Sequence, residues 1–294
     1  MYDIFFFCHP AVSLMFFLLI TVVSIIFLNP IMLAISFFAA FTYALWLNGK
    51  KALKLLLMSI PIVLLWTIFN LFTNHEGVSP FLYINGHAIT IESAAYGFAT
   101  GMMFVAVLTW FSCFNKVITS DKLFYVFGRF LPAVTLLLTM VLRFIPRYTV
   151  QISRISDARR GIGQGTDSGS VLARARSGAG ILRSLTQWSF ENAIDTADSM
   201  NARGFGTARR TQFSQYGFKR RDIRTALLIG ALFLCIVIGL ASGASKSMYF
   251  PRIVFPQTTP LIICFYVVFT AFSFFPVMIN IWEVLRWRFS LSRI

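Results

Sequence analysis

Charge is scarce in this chain. Only 13% of its 294 residues are ionised side chains, and acidic residues number 11 against 26 basic ones. With 57% hydrophobic residues and a mean hydropathy of +0.73, the chain cannot cover itself with the polar surface of a soluble domain and falls in the integral membrane class. Cysteine is equally thin. Cys8, Cys113, Cys235 and Cys264 lie in apolar segments without CxxC spacing, which excludes a disulfide framework and a thiolate metal site. No GxxxxGK[ST], HExxH, GxSxG or Ser-Lys arrangement occurs, so the chain is expected to be no enzyme and to hold no cofactor. A net charge of +15 would suggest nucleic acid in a soluble protein. Here the basic residues flank apolar runs, without an aromatic-interleaved groove, and the bilayer is the expected partner. The segment from Met1 to His9 lacks a basic region and a small-residue cleavage site, so the first apolar run reads as a retained span.

What is abundant is apolar sequence in lengths near the 20 or so residues that cross a bilayer. Hydropathy predicts spans over Ala11–Leu28, Ile31–Leu47, Ala52–Phe72, Ile91–Phe114, Ala226–Ala241 and Pro260–Trp282. Asn29-Pro30 reads as a turn, Pro61 as a kink, and Gly97 and Gly101 as a GxxxG pair that permits close helix approach. Lys50, Lys51 and Lys54, then Lys116, Lys122 and Arg129, then Arg220, Arg221 and Arg224, then Arg286, Arg288 and Arg293 mark one side; the 73–90 loop has no Lys or Arg. Six spans with both termini in the cytoplasm of a cell-membrane protein satisfy that asymmetry, with Lys246 and Arg252 as the exceptions. Leu123 to Ile145 is long enough to span. Between Pro132 and Pro146, however, it is apolar for only about fourteen residues, and its crossing would put the basic block outside, so it is read as a helix near the cytoplasmic surface. Asn85-Gly86 predicts a small hairpin in the external loop. His75, His87 and Glu76 could hold a metal there, although solvated loop residues are the simpler reading.

Three regions follow: a four-span membrane region at 1–115, a cytoplasmic region at 116–224 and a two-span region at 225–294. In the middle region arginine is frequent and glycines cluster. One helix is expected from Pro132 or Pro146 to Arg160, breaking in Gly161 to Gly165. A second is expected from Ile181 to Arg203, breaking at Gly204, with a mobile connector over Thr166–Gly180. Leu185, Trp188 or Ser189, Ala193, Ala197 and Met200 form a stripe whose small members Ser189, Ala193 and Ala197 would admit a crossing helix. Both helices end in Arg-Gly, Ala158-Arg159-Arg160-Gly161 and Ala202-Arg203-Gly204. One such ending is ordinary helix termination. Two on consecutive helices point to an arginine-presenting docking surface, since a guanidinium clamps a carboxylate with two parallel hydrogen bonds and glycine lets a partner approach. Gly161-x-Gly163-x-Gly165 follows no strand and does not read as a phosphate loop. Glu191, Asp195 and Asp198 balance neighbouring arginines.

With these residues in view, the sequence resembles the transmembrane T component of energy-coupling factor transporters. The likeness rests on His9-Pro10, Ile89–Ser93, Leu142-Arg143-Phe144-Ile145-Pro146, Ser156 to Gly161 and Ala197 to Gly204, and covers roughly residues 9–240. The resemblance implies an all-α integral membrane fold of about six transmembrane helices with long cytoplasmic coupling helices. It also implies that the arginines of two Ala-Arg-Gly motifs dock into two ABC-type ATPase subunits, and that a substrate-binding membrane S component completes the importer. Arg203 matches the second motif; in the first, Arg159 stands where alanine is usual, so Arg159 and Arg160 are both candidates. A permease of a conventional ABC importer would need a polar path through the spans, and a lipid-modifying membrane enzyme a reactive cluster. Few intramembrane polar residues and no such cluster are present.

Overall fold

The computed structural model describes residues 5–74, 77–84, 87–128, 130–165, 170–207, 216–241, 243, 247–254 and 259–291. Asn85-Gly86, His75, Glu76, Arg129, residues 166–169, Lys246 and Arg293 therefore lie outside the described residues. The chain forms two compact units, Met1–Leu123 with Tyr216–Ile294, and Phe124–Gln215.

In the first unit, helices α1 (Pro10–Ile26), α2 (Pro30–Asn48), α3 (Lys50–Thr73) and α4 (Ile91–Val117) precede a short α5 (Ser120–Gly128), on which the unit boundary falls. Later in the chain, α8 (Arg220–Ala241), α9 (Pro260–Ser273) and α10 (Phe275–Leu291) join them. Several helices start on proline. Pro10, Pro30 and Pro260 occupy the first turn, where no N–H is needed and the fixed φ suits the helix. Asn29-Pro30 is thus a helix start, with Asn29 Oδ1 accepting from the Ile31 amide at 3.0 Å. β1 (Pro80–Ile84) and β2 (His87–Thr90) pair antiparallel as a hairpin between α3 and α4.

The core of this unit is aromatic. Phe5, Phe16, Trp110, Phe269 and Phe272 are fully buried, with ring centroids 5.3 Å apart for Phe5–Phe16 and 5.9 Å for Phe16–Trp110. Between lipid-bathed helices apolar burial alone gives little, and packing and hydrogen bonds carry association. Both are present. Trp110 Nε1 donates to Ser36 Oγ at 3.1 Å, and Ser36 lies 2.7 Å from Ser24 Oγ, which ties α4, α2 and α1. Trp66 Nε1 donates to Thr100 Oγ1 at 3.0 Å, linking α3 and α4. At Gly97 a Cβ would lie 2.8 Å from Asn70 Cβ, and at Gly101 3.3 Å from Val63 Cγ1, so the GxxxG pair is where α3 and α4 meet backbone to backbone.

Pro260–Trp282 is not one straight span. The helix breaks at Phe274 and α9 and α10 diverge by 61°. Pro276 explains this, since it lacks an N–H and its ring would clash with the Phe272 carbonyl four residues back. α3, by contrast, is continuous through Pro61. Among the described residues five helices are long and apolar enough to cross a membrane, or six with the bent α9–α10 pair. That set differs from the expected one. It omits the 17-residue α1 and includes α6 (Pro132–Gly161) of the second unit, none of whose candidate window is buried.

The second unit is built on α6 and α7 (Val171–Ala202). The connector expected over Thr166–Gly180 is a correction, because helix begins at Val171, with Ser170 Oγ accepting from the Ala173 amide at 3.3 Å. Ser177, Gly178 and Gly180 lent that stretch a linker's composition, but they are helical, and Gly180 lies against Arg159 of α6.

Candidate docking ends of α6 and α7

α6 and α7 pack antiparallel, with Tyr148 meeting Trp188 edge to face at 5.7 Å and the Arg159 guanidinium lying against Gly180. A Cβ at Gly180 would overlap that guanidinium. The half-buried residues include Phe144, Tyr148, Gln151, Ile155 and Arg159 on α6, and Gly180, Ile181, Leu185, Trp188, Ser189, Asn192, Thr196 and Met200 on α7. Ala193 and Ala197 of the expected stripe are exposed, although Ala193 borders a small gap beside Phe144 and Ser189. Steps of four residues drift by about 40° each on a 3.6-residue helix. The seam takes a step of three at Leu185–Trp188 and so runs through Asn192 and Thr196 instead.

Both helices close with the same backbone motif. At α6 the Gln164 amide donates to Arg159 O at 2.9 Å and the Gly163 amide to Arg160 O at 3.0 Å. At α7 the Phe205 amide donates to Met200 O at 3.0 Å and the Gly204 amide to Asn201 O at 2.9 Å. These are Schellman pairs, each with a left-handed glycine, Gly163 at φ 74° and Gly204 at φ 75°. The two Arg-Gly ends are therefore not equivalent. Gly204 stops α7 directly after Arg203, whereas Gly161 is still helical and α6 stops two residues later at Gly163.

The arginines differ accordingly. Arg159 points into the crossing, half-buried, with Nη2 donating to Gln164 Oε1 at 2.9 Å. Arg160 is exposed, its side chain 52% accessible and 3.6 Å from the equally open Asp157 carboxylate, an ion pair that water screens heavily. Arg203 is exposed at the α7 cap, next to exposed Ala202 and half-exposed Gly204; Ala158 and Gly161 are exposed at the α6 end. Sequence reasoning placed these residues but missed that one of the adjacent arginines is used internally. Gln164 five residues on was the available signal.

In the first unit a polar junction joins the start of α1, the α4–α5 link and the start of α8. His9 caps α1, Nδ1 accepting from the Ala11 amide at 3.3 Å, and its ring stacks on Phe218 at 3.7 Å. Buried Lys122 donates to Phe6 O at 2.5 Å and Val117 O at 2.8 Å. Buried Asp222 accepts from the Lys219 amide at 3.2 Å. Burial holds the His9 imidazole below its ordinary pKa, with the Asp222 charge acting in the opposite sense. Among the described residues no cluster of His, Cys, Asp and Glu suits a metal ion.

Comparison with known proteins bears on these features together. A family model described as Cobalt transport protein, CbiQ, matches residues 7–214, from the start of α1 past the end of α7. The Streptococcus thermophilus energy-coupling factor transporter transmembrane protein EcfT is 27% identical over 223 residues, covering 71% of this chain and 83% of that protein. The Streptococcus equi protein of the same name is 26% identical over 230 residues, covering 73% and 82%. An uncharacterized Mycoplasma genitalium protein, MG181, is 24% identical over 187 residues, and the match spans 60% of this chain but only 44% of that longer relative. For the Lactobacillus helveticus EcfT the match is 31% over 108 residues, 37% of its length. With a multi-pass helical membrane architecture and a family match over most of its length, the chain belongs to the CbiQ/EcfT family of energy-coupling factor transporter transmembrane proteins, as a membrane component and not an ATPase.

Proposed function

We propose that this chain is the scaffold and energy-coupling subunit of an energy-coupling factor importer, holding two cytoplasmic ATPases through Arg160 at the end of α6 and Arg203 at the end of α7. One observation carries the reading: two crossed helices each end in a Schellman stop beside an exposed guanidinium, while the extra arginine, Arg159, is turned into the crossing. A planar guanidinium held at a rigid helix end matches a carboxylate in a groove with two parallel hydrogen bonds, and it stays charged at all working pH values. Left-handed glycine after each end removes side-chain bulk where a partner surface would close.

Closure of the ATPase pair on ATP would draw the two arginine ends together and shift α6 against α7 along their seam. That seam is half-buried and contains Ser189, Asn192 and Thr196, so it can slide at lower cost than a dry apolar core. The motion reorients a separate substrate-binding membrane subunit seated on the spans and helix surface, and a vitamin or other micronutrient is taken up. Both termini and the arginine-rich unit face the cytoplasm, in keeping with the basic flanks of the apolar helices. ATP hydrolysis belongs to the partners.

The test is copurification from mild detergent with both ATPases and the substrate subunit expressed alongside. R160A/R203A should lose most of both ATPases and all transport, whereas R159A should retain ATPase binding by Arg160. Wild-type ATPase recovery with R160A/R203A, or its loss with R159A alone, refutes the assignment.

A further inference from the structure

Where α6 and α7 cross, the second unit has a cleft of about 450 Å³ lined by Pro146, Arg147, Gln151, Arg154, Trp188 and Asn192. Its chemistry is unlike the rest of the seam. Arg147 and Arg154 make no hydrogen bond or ion pair with any described residue, so two guanidiniums stand unneutralised on one wall. At 100° per residue, Arg143, Arg147 and Arg154 fall within about 40° of arc on α6, so a third cation shares the face. Of the acids flanking the crossing, Asp157 pairs with Arg160 and Ser153 and Glu191 accepts from the Gln187 amide, while Asp195 is exposed one turn beyond Asn192. Gln151 and Asn192 add amide donors, and half-buried Trp188 supplies an aromatic wall.

The cleft also has a definite place along its helix. α6 is apolar from Pro132 to Leu142 and polar beyond Pro146, with exposed Leu137, Leu138, Val141, Leu142 and Ile145 leading straight up to Arg147. A helix that passes from bare apolar surface to arginine within one turn, beside a tryptophan, has the profile of a bilayer–water boundary. Basic pockets at that level on the cytoplasmic side take anionic lipid headgroups.

We infer that the α6–α7 cleft binds the phosphate of an anionic phospholipid, with Arg147 and Arg154 clamping the headgroup, Gln151 and Asn192 completing its hydrogen bonds, and the acyl chains lying along the apolar half of α6. The same guanidinium pair would take a free phosphate, so the headgroup and soluble-anion sources are tested separately.

The purified, delipidated full chain is titrated in nonionic detergent with phosphatidylglycerol or phosphatidylcholine, and bound lipid is counted by native mass spectrometry. Wild type should prefer phosphatidylglycerol by about tenfold or more, because both lipids carry the phosphodiester but two unneutralised guanidiniums repel the choline cation of phosphatidylcholine. R147Q/R154Q should lose that preference, and R174Q/R176Q, which removes equal charge from the start of α7, should keep it within twofold. Inorganic phosphate at millimolar concentration should leave the lipid in place. Equal retention of the two lipids by wild type, equal loss in both double variants, or displacement by inorganic phosphate overturns the proposal. R147K/R154K keeps the charge without the planar fork, and an affinity for phosphatidylglycerol undiminished from wild type would refute the clamp.

Discussion

The two units dispose of their apolar residues in opposite ways. In the first, α1, α2, α4 and α9 converge on an aromatic core whose largest members are completely buried, and the Trp110 indole and the Ser36 and Ser24 hydroxyls are hydrogen-bonded inside it. In the second, neither α6 nor α7 buries a single described residue fully, although Leu137, Leu182, Phe190 and Ile194 are all more than 60% exposed. The first unit specifies its own structure. The second is a pair of rods with one shared seam and most of its surface open, which suits the coupling role proposed above, since packed cores resist sliding.

Paired tryptophan truncations put the greatest strain on this comparison. Trp110→Ala removes a fully buried indole bonded to Ser36 and should cost about 3 kcal/mol, mostly through the cavity and the orphaned hydroxyl, because lipid reduces the transfer part. Trp188→Ala removes a half-buried ring facing Tyr148 and should cost about 1 kcal/mol or less. Both are read from thermal unfolding in one detergent. Equal costs would mean that α6–α7 packing is as self-sufficient as the first unit's core.

A smaller effect separates the two helix ends. Gly204→Ala and Gly163→Ala place a Cβ in the left-handed region and should each cost about 1 kcal/mol. They should be visible as faster hydrogen exchange in the last turn of the corresponding helix. Gly161→Ala falls at a helical position with open space around its Cβ, so it should be neutral or protect α6 by about 0.5 kcal/mol. If Gly161→Ala frays α6 as Gly163→Ala does, the two-residue offset between the arginine ends is wrong.

Helices α2, α3, α4 and α8 were legible as apolar lengths because hydropathy decides them, and the GxxxG pair because only glycine permits the approach of Val63 and Thr67. Three things were not. Pro276 lay inside an unbroken apolar run, where proline could mark a kink or a break, and in a similar run α3 stays helical through Pro61. The start of α7 was hidden because Ser177, Gly178 and Gly180 carry a linker's composition, and the use of Gly180 as a crossing surface depends on Arg159, twenty-one residues before it in sequence. The choice between Arg159 and Arg160 likewise depended on a tertiary contact. His9-Pro10 had a local reading as cap and first-turn proline, but its stacking on Phe218 joins positions more than two hundred residues apart.

That His9 junction gives the smallest expected effect and asks whether the first unit's order extends to its polar end. Burial lowers the imidazole's pKa from 6.5, and the Asp222 carboxylate partly opposes this. The unfolded chain therefore takes up the proton more readily than the folded one. Stability contributed by neutral His9 is complete above pH 6.5 and is lost as pH falls below it, until the folded-state group itself titrates. Arg221, 3.9 Å from Asp222, and Lys122 lie at the same junction. Between pH 7.5 and 5.5 the wild-type thermal midpoint should fall further than that of His9→Asn, which keeps a capping side chain without the titration, by about 2 °C. Asp222→Asn keeps an acceptor for the Lys219 amide but removes the opposing charge, so its midpoint should fall more steeply than wild type. Identical slopes for wild type and His9→Asn would show that the junction is wet enough to protonate freely, and the contrast between an ordered first unit and an open second one would then stop short of the first unit's polar end.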